Sequence, residues 1–400
     1  MATEMSKTRK LLFYAALLLT NVIICTDYVI YPISYALYEA FPGSEAGINF
    51  IISGPAMIII FASLLVPVIL KFMSKKTLLV IGSAAFAITS IGGCLIESVP
   101  YMIACRSVGG FCYAIANVCA MGIIADHFVD ETKRGAFMGI FNAAMTAIGA
   151  VMGVVAGNLA VSGWQNAYKT YWIAIPMLVM VLLFIPKIEA PAQQGEGAAE
   201  DAAAPAATKG IGGLGRRFWM MLVGFCLVSV AYNNSVLYYM SVYIMENGLG
   251  NEALSGTVSS VASIAAAVTC LAFGAVYGKL KARTSVPFFA GITVSTLLLA
   301  FVPSVATVFI AAIVGGGSFG VLFSYVYAEG SSCVPADRID QALAIVTSAC
   351  GVAMFVCTYL ETGIMGAMGT SMVTPTLPVL GVIAVVATVL EVLSTARVRR

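Results

Sequence analysis

PVILKFMSKKT at Pro67–Thr77 and GAVYGKLKART at Gly274–Thr284 decide the fold when they are laid side by side. Each ends a run of apolar residues in a short basic segment, and each is the loop after the second such run of its half. An offset of 206 to 207 residues joins them and brings other features into register. Gly109-Gly110 falls on Gly315-Gly316, Ala136 after Lys133-Arg134 falls on Ala342 after Asp337-Arg338, and Asp27 falls on Asn233. The two halves of the chain are related.

Composition says what the repeated unit is made of. Of 400 residues, 60% are hydrophobic and 10% charged, against roughly 25% charged in a soluble domain. Apolar runs recur along the whole chain at about the 20-residue length that a helix needs to cross a bilayer. They lack the period-2 alternation of a membrane barrel strand. The expected class is an all-α membrane protein with twelve transmembrane helices. Its spans are roughly 11–37, 47–70, 77–97, 101–125, 135–161, 168–185, 218–245, 255–277, 286–302, 305–332, 341–367 and 375–395. The first run continues through Asp27 and Tyr35 without a small-residue cleavage site, so it reads as a span rather than a signal peptide.

Between the sixth and seventh spans, APAQQGEGAAEDAAAPAATKG is too poor in large apolar groups to fold and reads as a linker. The expected organisation is therefore a six-helix bundle over 1–185, a linker over 186–217 and a second six-helix bundle over 218–400. Lys and Arg check the helix count, because short cytoplasmic loops carry the positive excess. With twelve spans and both termini inside, 19 of the 21 basic residues fall on the cytoplasmic side; Lys169 lies outside and Arg106 within a span. A bacterial-type inner membrane is the expected location.

Other chemistries find little footing. A net charge of +2 without basic, aromatic-rich stretches gives no nucleic-acid partner. Eight of the ten cysteines sit inside apolar runs without a CxxC pair, and read as small packing residues. The single histidine, His127, is placed in a loop. Without HExxH, GxSxG or GxxxxGK[ST] there is no expected enzyme activity, metal or cofactor.

Ionisable residues inside spans cost on the order of 2.5–3.5 kcal/mol on insertion scales and so mark function. Asp27 lies about 24 Å along an outward-running helix, and Arg106 about 22 Å from the same boundary on an inward-running one. Their depths agree. Tyr31 shares the Asp27 face, while Tyr113 and Asn117 share the Arg106 face. The seventh span reads AYNNSVLYYMSVY, whose Asn233, Asn234 and Tyr239 are too polar for lipid throughout. Tyr325 follows a Gly315-Gly316-Gly317 run on the tenth. Glu361, on the eleventh, reads equally as a second proton site or a surface carboxylate, and Glu329 as an interfacial or gate contact.

With these residues in view, the chain resembles the major facilitator superfamily over nearly its whole length. Asp27 in DYVIYPISYAL is similar to the first-helix acidic motif of the drug:proton antiporter branch, and Arg106-Ser-Val-Gly109-Gly110 to the superfamily's fourth-helix RxxxG. Gly139, Gly149, Gly153 and Gly157 resemble the antiporter signature of the fifth helix, without its proline. Of the gating motif G-x-x-x-D-R-x-G-R-K only the basic end is present, as Lys75, Lys76 and Arg283, with Arg134 in the next loop of the same face. The resemblance implies a central cavity lined by helices one, four, seven and ten, with Asp27 facing Arg106. It further implies alternating access, carried out by a monomer on a small molecule. The expected activity is proton-coupled export of an amphipathic or aromatic solute; the alternative is uptake or exchange of an organic anion held by Arg106.

Overall fold

The computed structural model describes residues 6–128, 131–186, 214–334 and 339–396, and all its regular elements are helical. Ten helices are long and apolar enough to cross a membrane, and a bent pair makes an eleventh span. The shorter apolar helix Ser285–Phe301 completes the twelve-span layout.

The spans are α1 (Lys7–Ile24 with Asp27–Ala40), α2 (Glu45–Ile69), α3 (Lys75–Gly92), α4 (Val99–His127), α5 (Glu131–Ala160) and α6 (Trp164–Phe184). They continue as α7 (Gly215–Tyr238, extended by Met240–Glu246), α8 (Glu252–Leu280), α9 (Ser285–Phe301), α10 (Val305–Ser332), α11 (Ile339–Met368) and α12 (Leu377–Ala396). Successive spans run in opposite directions, so the start of α1 and the end of α12 share one face, here the terminal face. Lys75 at the start of α3 meets Asp126 near the end of α4 at 2.7 Å on that face. On the opposite face Tyr101 of α4 donates to the Gly92 carbonyl at 2.9 Å.

Two buried apolar clusters form the interior. One is built mainly from α1 to α6 and includes Phe13, Phe86, Phe141 and Tyr171; the other lies within α7 to α12 and includes Phe218, Phe225 and Phe289. Many large hydrophobics at the perimeter, such as Phe61, Leu271 and Val382, are exposed, as expected where lipid is the solvent. Residues 187–213, most of the expected linker, lie outside the described residues.

The first helix of each half is broken at the pseudo-equivalent place. Lys7–Ile24 and Asp27–Ala40 meet at 47°, and Pro32 lies in a 3-10 turn over Tyr31–Ile33. In α7, Asn233–Tyr238 is a π-helical turn. Such breaks release backbone groups from the helical ladder, and both lie where polar side chains gather.

Candidate functional site

The bend in α1 prepares the site. The Thr26 carbonyl accepts the Tyr171 hydroxyl of α6 at 2.8 Å, and the Thr26 hydroxyl donates back to the Tyr171 oxygen at 3.1 Å. One residue on, Asp27 projects from the new helical segment and its Oδ1 accepts from an Arg106 terminal nitrogen. Sequence depth and the observed pairing agree.

Arg106 is 5% exposed and held on three sides. Its other terminal nitrogen donates to Thr26 Oγ1 at 3.2 Å, and Nε donates to the Ile51 carbonyl at 2.9 Å. That carbonyl is free because the residue four positions on is Pro55, which lies inside α2 and has no N–H to return. A methyl on Gly110 would meet the Pro55 Cα and carbonyl oxygen at 3.2 Å, so the glycine keeps α2 and α4 in contact. The guanidinium is thereby directed into the first half, away from the central space.

Asp27 faces that space, with a side chain 24% exposed. It lines a cavity of about 360 Å³ together with Ile59 and Leu64 of α2, Tyr113 of α4, Tyr238 of α7, Phe323 and Tyr327 of α10, and Thr347 and Met354 of α11. Among the described residues of the lining, Asp27 is the one charged side chain. Its α10 residues and nearly all its α11 residues lie on the halves of those helices nearer the terminal face, while its α2 residues run from Ile52 near the seal to Leu64 toward that face. The sequence reading put the lining on helices one, four, seven and ten; α2 and α11 in fact supply most of it. Their lining residues are largely aliphatic or small, and so carry no polar mark in the sequence.

Several predicted residues sit elsewhere. Tyr325 is buried against Glu391, with its hydroxyl 3.0 Å from the carboxylate, and Tyr327 takes the expected place on the cavity wall. Asn117 is exposed one turn beyond Tyr113 and is not part of the lining. Tyr31 is buried behind the wall, its ring 5.4 Å from that of Tyr238. Asn233 is turned into its own helix, donating to the Ser229 carbonyl at 2.8 Å. Lys75 pairs with Asp126, Lys76 is half-buried and Arg283 exposed; the Arg134 side chain lies outside the described residues. His127 ends α4 rather than lying in a loop, and it packs against Phe13, with Nε2 3.4 Å from the Tyr14 hydroxyl.

Glu361 is fully buried, not a surface carboxylate. It accepts from Asn234 at 3.3 Å and from the Thr376 hydroxyl, joining α7, α11 and the turn before α12. Its neighbour Thr362 belongs to a polar seal across the opposite face. Asn49 donates to Thr362 Oγ1 at 2.7 Å and accepts from Tyr38 at 2.6 Å and Tyr239 at 3.1 Å. One turn deeper, Ser53 meets Thr358 at 2.8 Å. Glu329 pairs with Arg217 and accepts the Tyr277 hydroxyl at 2.8 Å.

Glu391 of α12 was not singled out from sequence. It is fully buried, with Ser285 donating to Oε1 at 2.5 Å and Ser394 to Oε2 at 3.0 Å. A carboxylate inside an otherwise apolar final span was the available signal. Tyr168 and Tyr171 gave no such sign, because nothing in NAYKTYW distinguishes them from interfacial aromatics.

Comparison with known proteins agrees with the helical layout. Residues 16–358 match the family described as Major Facilitator Superfamily. No curated protein matches the chain in sequence. Among solved structures, the chain is similar to a point mutant of the nucleoside transporter NupG, at TM-score 0.75 and 14% identity, covering 96% of this chain and 99% of that one. It is also similar to a bacterial homolog of the human lysosomal transporter Spinster in an inward-facing and occupied conformation. There the TM-score is 0.70 and the identity 14%, with 98% of each chain covered.

Proposed function

The chain belongs to the major facilitator superfamily, and we propose that within it this protein exports a small amphipathic or aromatic solute in exchange for protons. The family assignment makes it a multi-pass membrane transporter that binds a small molecule and works by alternating access, not an enzyme. The remaining steps are our reading of the site.

One observation carries it: Asp27 is the charged group on the cavity wall, whereas Arg106 is buried behind it. A carboxylate at the boundary between a partly dry cavity and a fixed cation can exchange its partner. When a proton binds Asp27, the Coulomb attraction to Arg106 falls and the shape and polarity of the cavity wall change. Tyr113, Tyr238, Tyr327 and Phe323 offer aromatic faces to an apolar body. An anion would have to displace Asp27 from Arg106 to reach the guanidinium, so the organic-anion alternative is less well supported.

Sidedness follows from charge. Lys7, Arg9, Lys10, Lys71, Lys75, Lys76, Lys279, Lys281 and Arg283 lie toward the terminal face, while Glu39, Glu45, Glu97, Glu246 and Glu252 lie toward the other. We take the terminal face as cytoplasmic and the two six-helix halves, 1–185 and 218–400, as the rocking units. The conformation is then inward-facing: Asn49, Ser53, Tyr38 and Tyr239 seal the outer side, and the cavity lies between the inner ends of α2, α10 and α11. Glu361, tied through Asn234 to α7 and adjacent to that seal, is a second coupling residue in this reading.

Inverted vesicles with an imposed proton gradient provide the test. Export coupled to protons gives collapse of the gradient on adding aromatic amphiphiles. Gradient-independent counterflow of a carboxylate, without proton movement, would favour the anion alternative.

A further inference from the structure

Behind the ion pair, on the side away from the solute cavity, α1, α3, α4 and α6 line a second chamber of about 10 Å³. Arg106, Thr26, Ser90, Tyr168, Met102 and Gly109 contribute to its walls. That volume is about what one water molecule needs.

Three observations make the chamber polar and unfilled. Tyr168 is 4% exposed, and its hydroxyl has no hydrogen-bond partner among the described residues, a costly state for a buried polar group. A methyl on Gly109 would meet no atom within 4 Å, so open space reaches the α4 backbone. Arg106 directs its N–H groups to Ile51, Thr26 and Asp27 and also meets the Tyr171 hydroxyl, while a guanidinium has five donors.

We propose that this chamber is a built site for one resident water, shared by the Tyr168 hydroxyl and the Arg106 guanidinium, which keeps Arg106 solvated when Asp27 takes a proton. The water site stands on geometry alone; its part in coupling rests on the proton-exchange reading above. A buried cation stripped of its partner is strongly destabilising, and a bridging water is nearly as good as a direct hydrogen bond. Among the described residues the groups around the pair offer no other charge. They are Cys25, Tyr28 and Tyr31 of α1, Tyr113 of α4, Tyr168 and Tyr171 of α6 and Tyr238 of α7, while α2 presents the Ile51 carbonyl. Tyr168 is thus a positioning residue for Arg106.

Hydroxyl-radical footprinting in proteoliposomes reads the water, because Met102 lines the chamber and is otherwise wholly buried. Met102 is expected to be oxidised in the natural protein, and several-fold less in Tyr168→Phe and in Gly109→Ala, which places a methyl in the open space. An unlabelled Met102, or equal labelling in all three proteins, overturns the site. The pH profile of proton-driven transport reads the coupling role. With the water gone the state in which Asp27 has left Arg106 is disfavoured, so half-maximal transport moves to lower pH. Gradient-free solute counterflow stays unchanged. A profile that does not move in either variant overturns the coupling role. A natural protein indifferent to proton gradients overturns the exchange reading, and the footprint still decides the water.

Discussion

Asp27 and Arg106 do different work although they form one pair. Arg106 is fixed by the Ile51 carbonyl that Pro55 leaves free and by Thr26, whose own place is set by Tyr171. Asp27 keeps one face on the cavity. Pro55→Ala should return an N–H to the Ile51 carbonyl, loosen Arg106 and lower solute affinity or coupling several-fold, with the helix itself no less stable; transport assays beside thermal unfolding check this. Glu361→Gln retains hydrogen-bonding groups for Asn234 and Thr376 and should unfold near the natural midpoint. Glu361→Ala leaves Asn234 and Thr376 only their bonds to the Cys357 and Val373 carbonyls, which unties the turn before α12 from α7 and α11 and should read as a lower midpoint in detergent. The depth match between Asp27 and Arg106 was legible in the sequence because spanning helices fix height. What each side chain touches was not, because it depends on a missing N–H in α2 and on two tyrosines of α6.

Among the elements, α5 and α8 bring the backbones of the two halves close together. A methyl on Gly256 would lie 2.3 Å from the Gly153 carbonyl oxygen, and one on Gly157 would lie 2.5 Å from that of Glu252. Ser260 donates across this seam to the Ala150 carbonyl at 2.6 Å. Backbone cannot give way as a side-chain tip can, so Gly256→Ala should separate the helices and cost on the order of 1–3 kcal/mol. Reduced thermal stability and slowed transport together would show it. The glycines of the fifth span were visible in the sequence; their partner on α8 was not, since small residues there look like any apolar filler. The twelve spans were readable because hydrophobic length and loop charge are each strong, independent signals, but the bend in α1 was not: its apolar run continues across it.

At the scale of the molecule, hydrogen bonds between the halves gather toward the outer side: Asn49 with Thr362, Ser53 with Thr358, Tyr38 with Tyr239, and Ser241 with the Pro32 carbonyl at 2.7 Å. A transporter that rocks must break this set. A Ser53→Cys, Thr358→Cys pair should form a disulfide in the state described here and stop transport until reduced; full transport by the cross-linked protein would mean that the seal need not open. The central claim is that Asp27 exchanges Arg106 for a proton during each cycle. Its most direct measurement is solute flux in proteoliposomes with and without an imposed pH gradient, for the natural protein and for Asp27→Asn, which keeps an acceptor for Arg106. Gradient-driven accumulation should vanish in the variant while counterflow and folded yield persist. Gradient-driven accumulation undiminished in Asp27→Asn would contradict it.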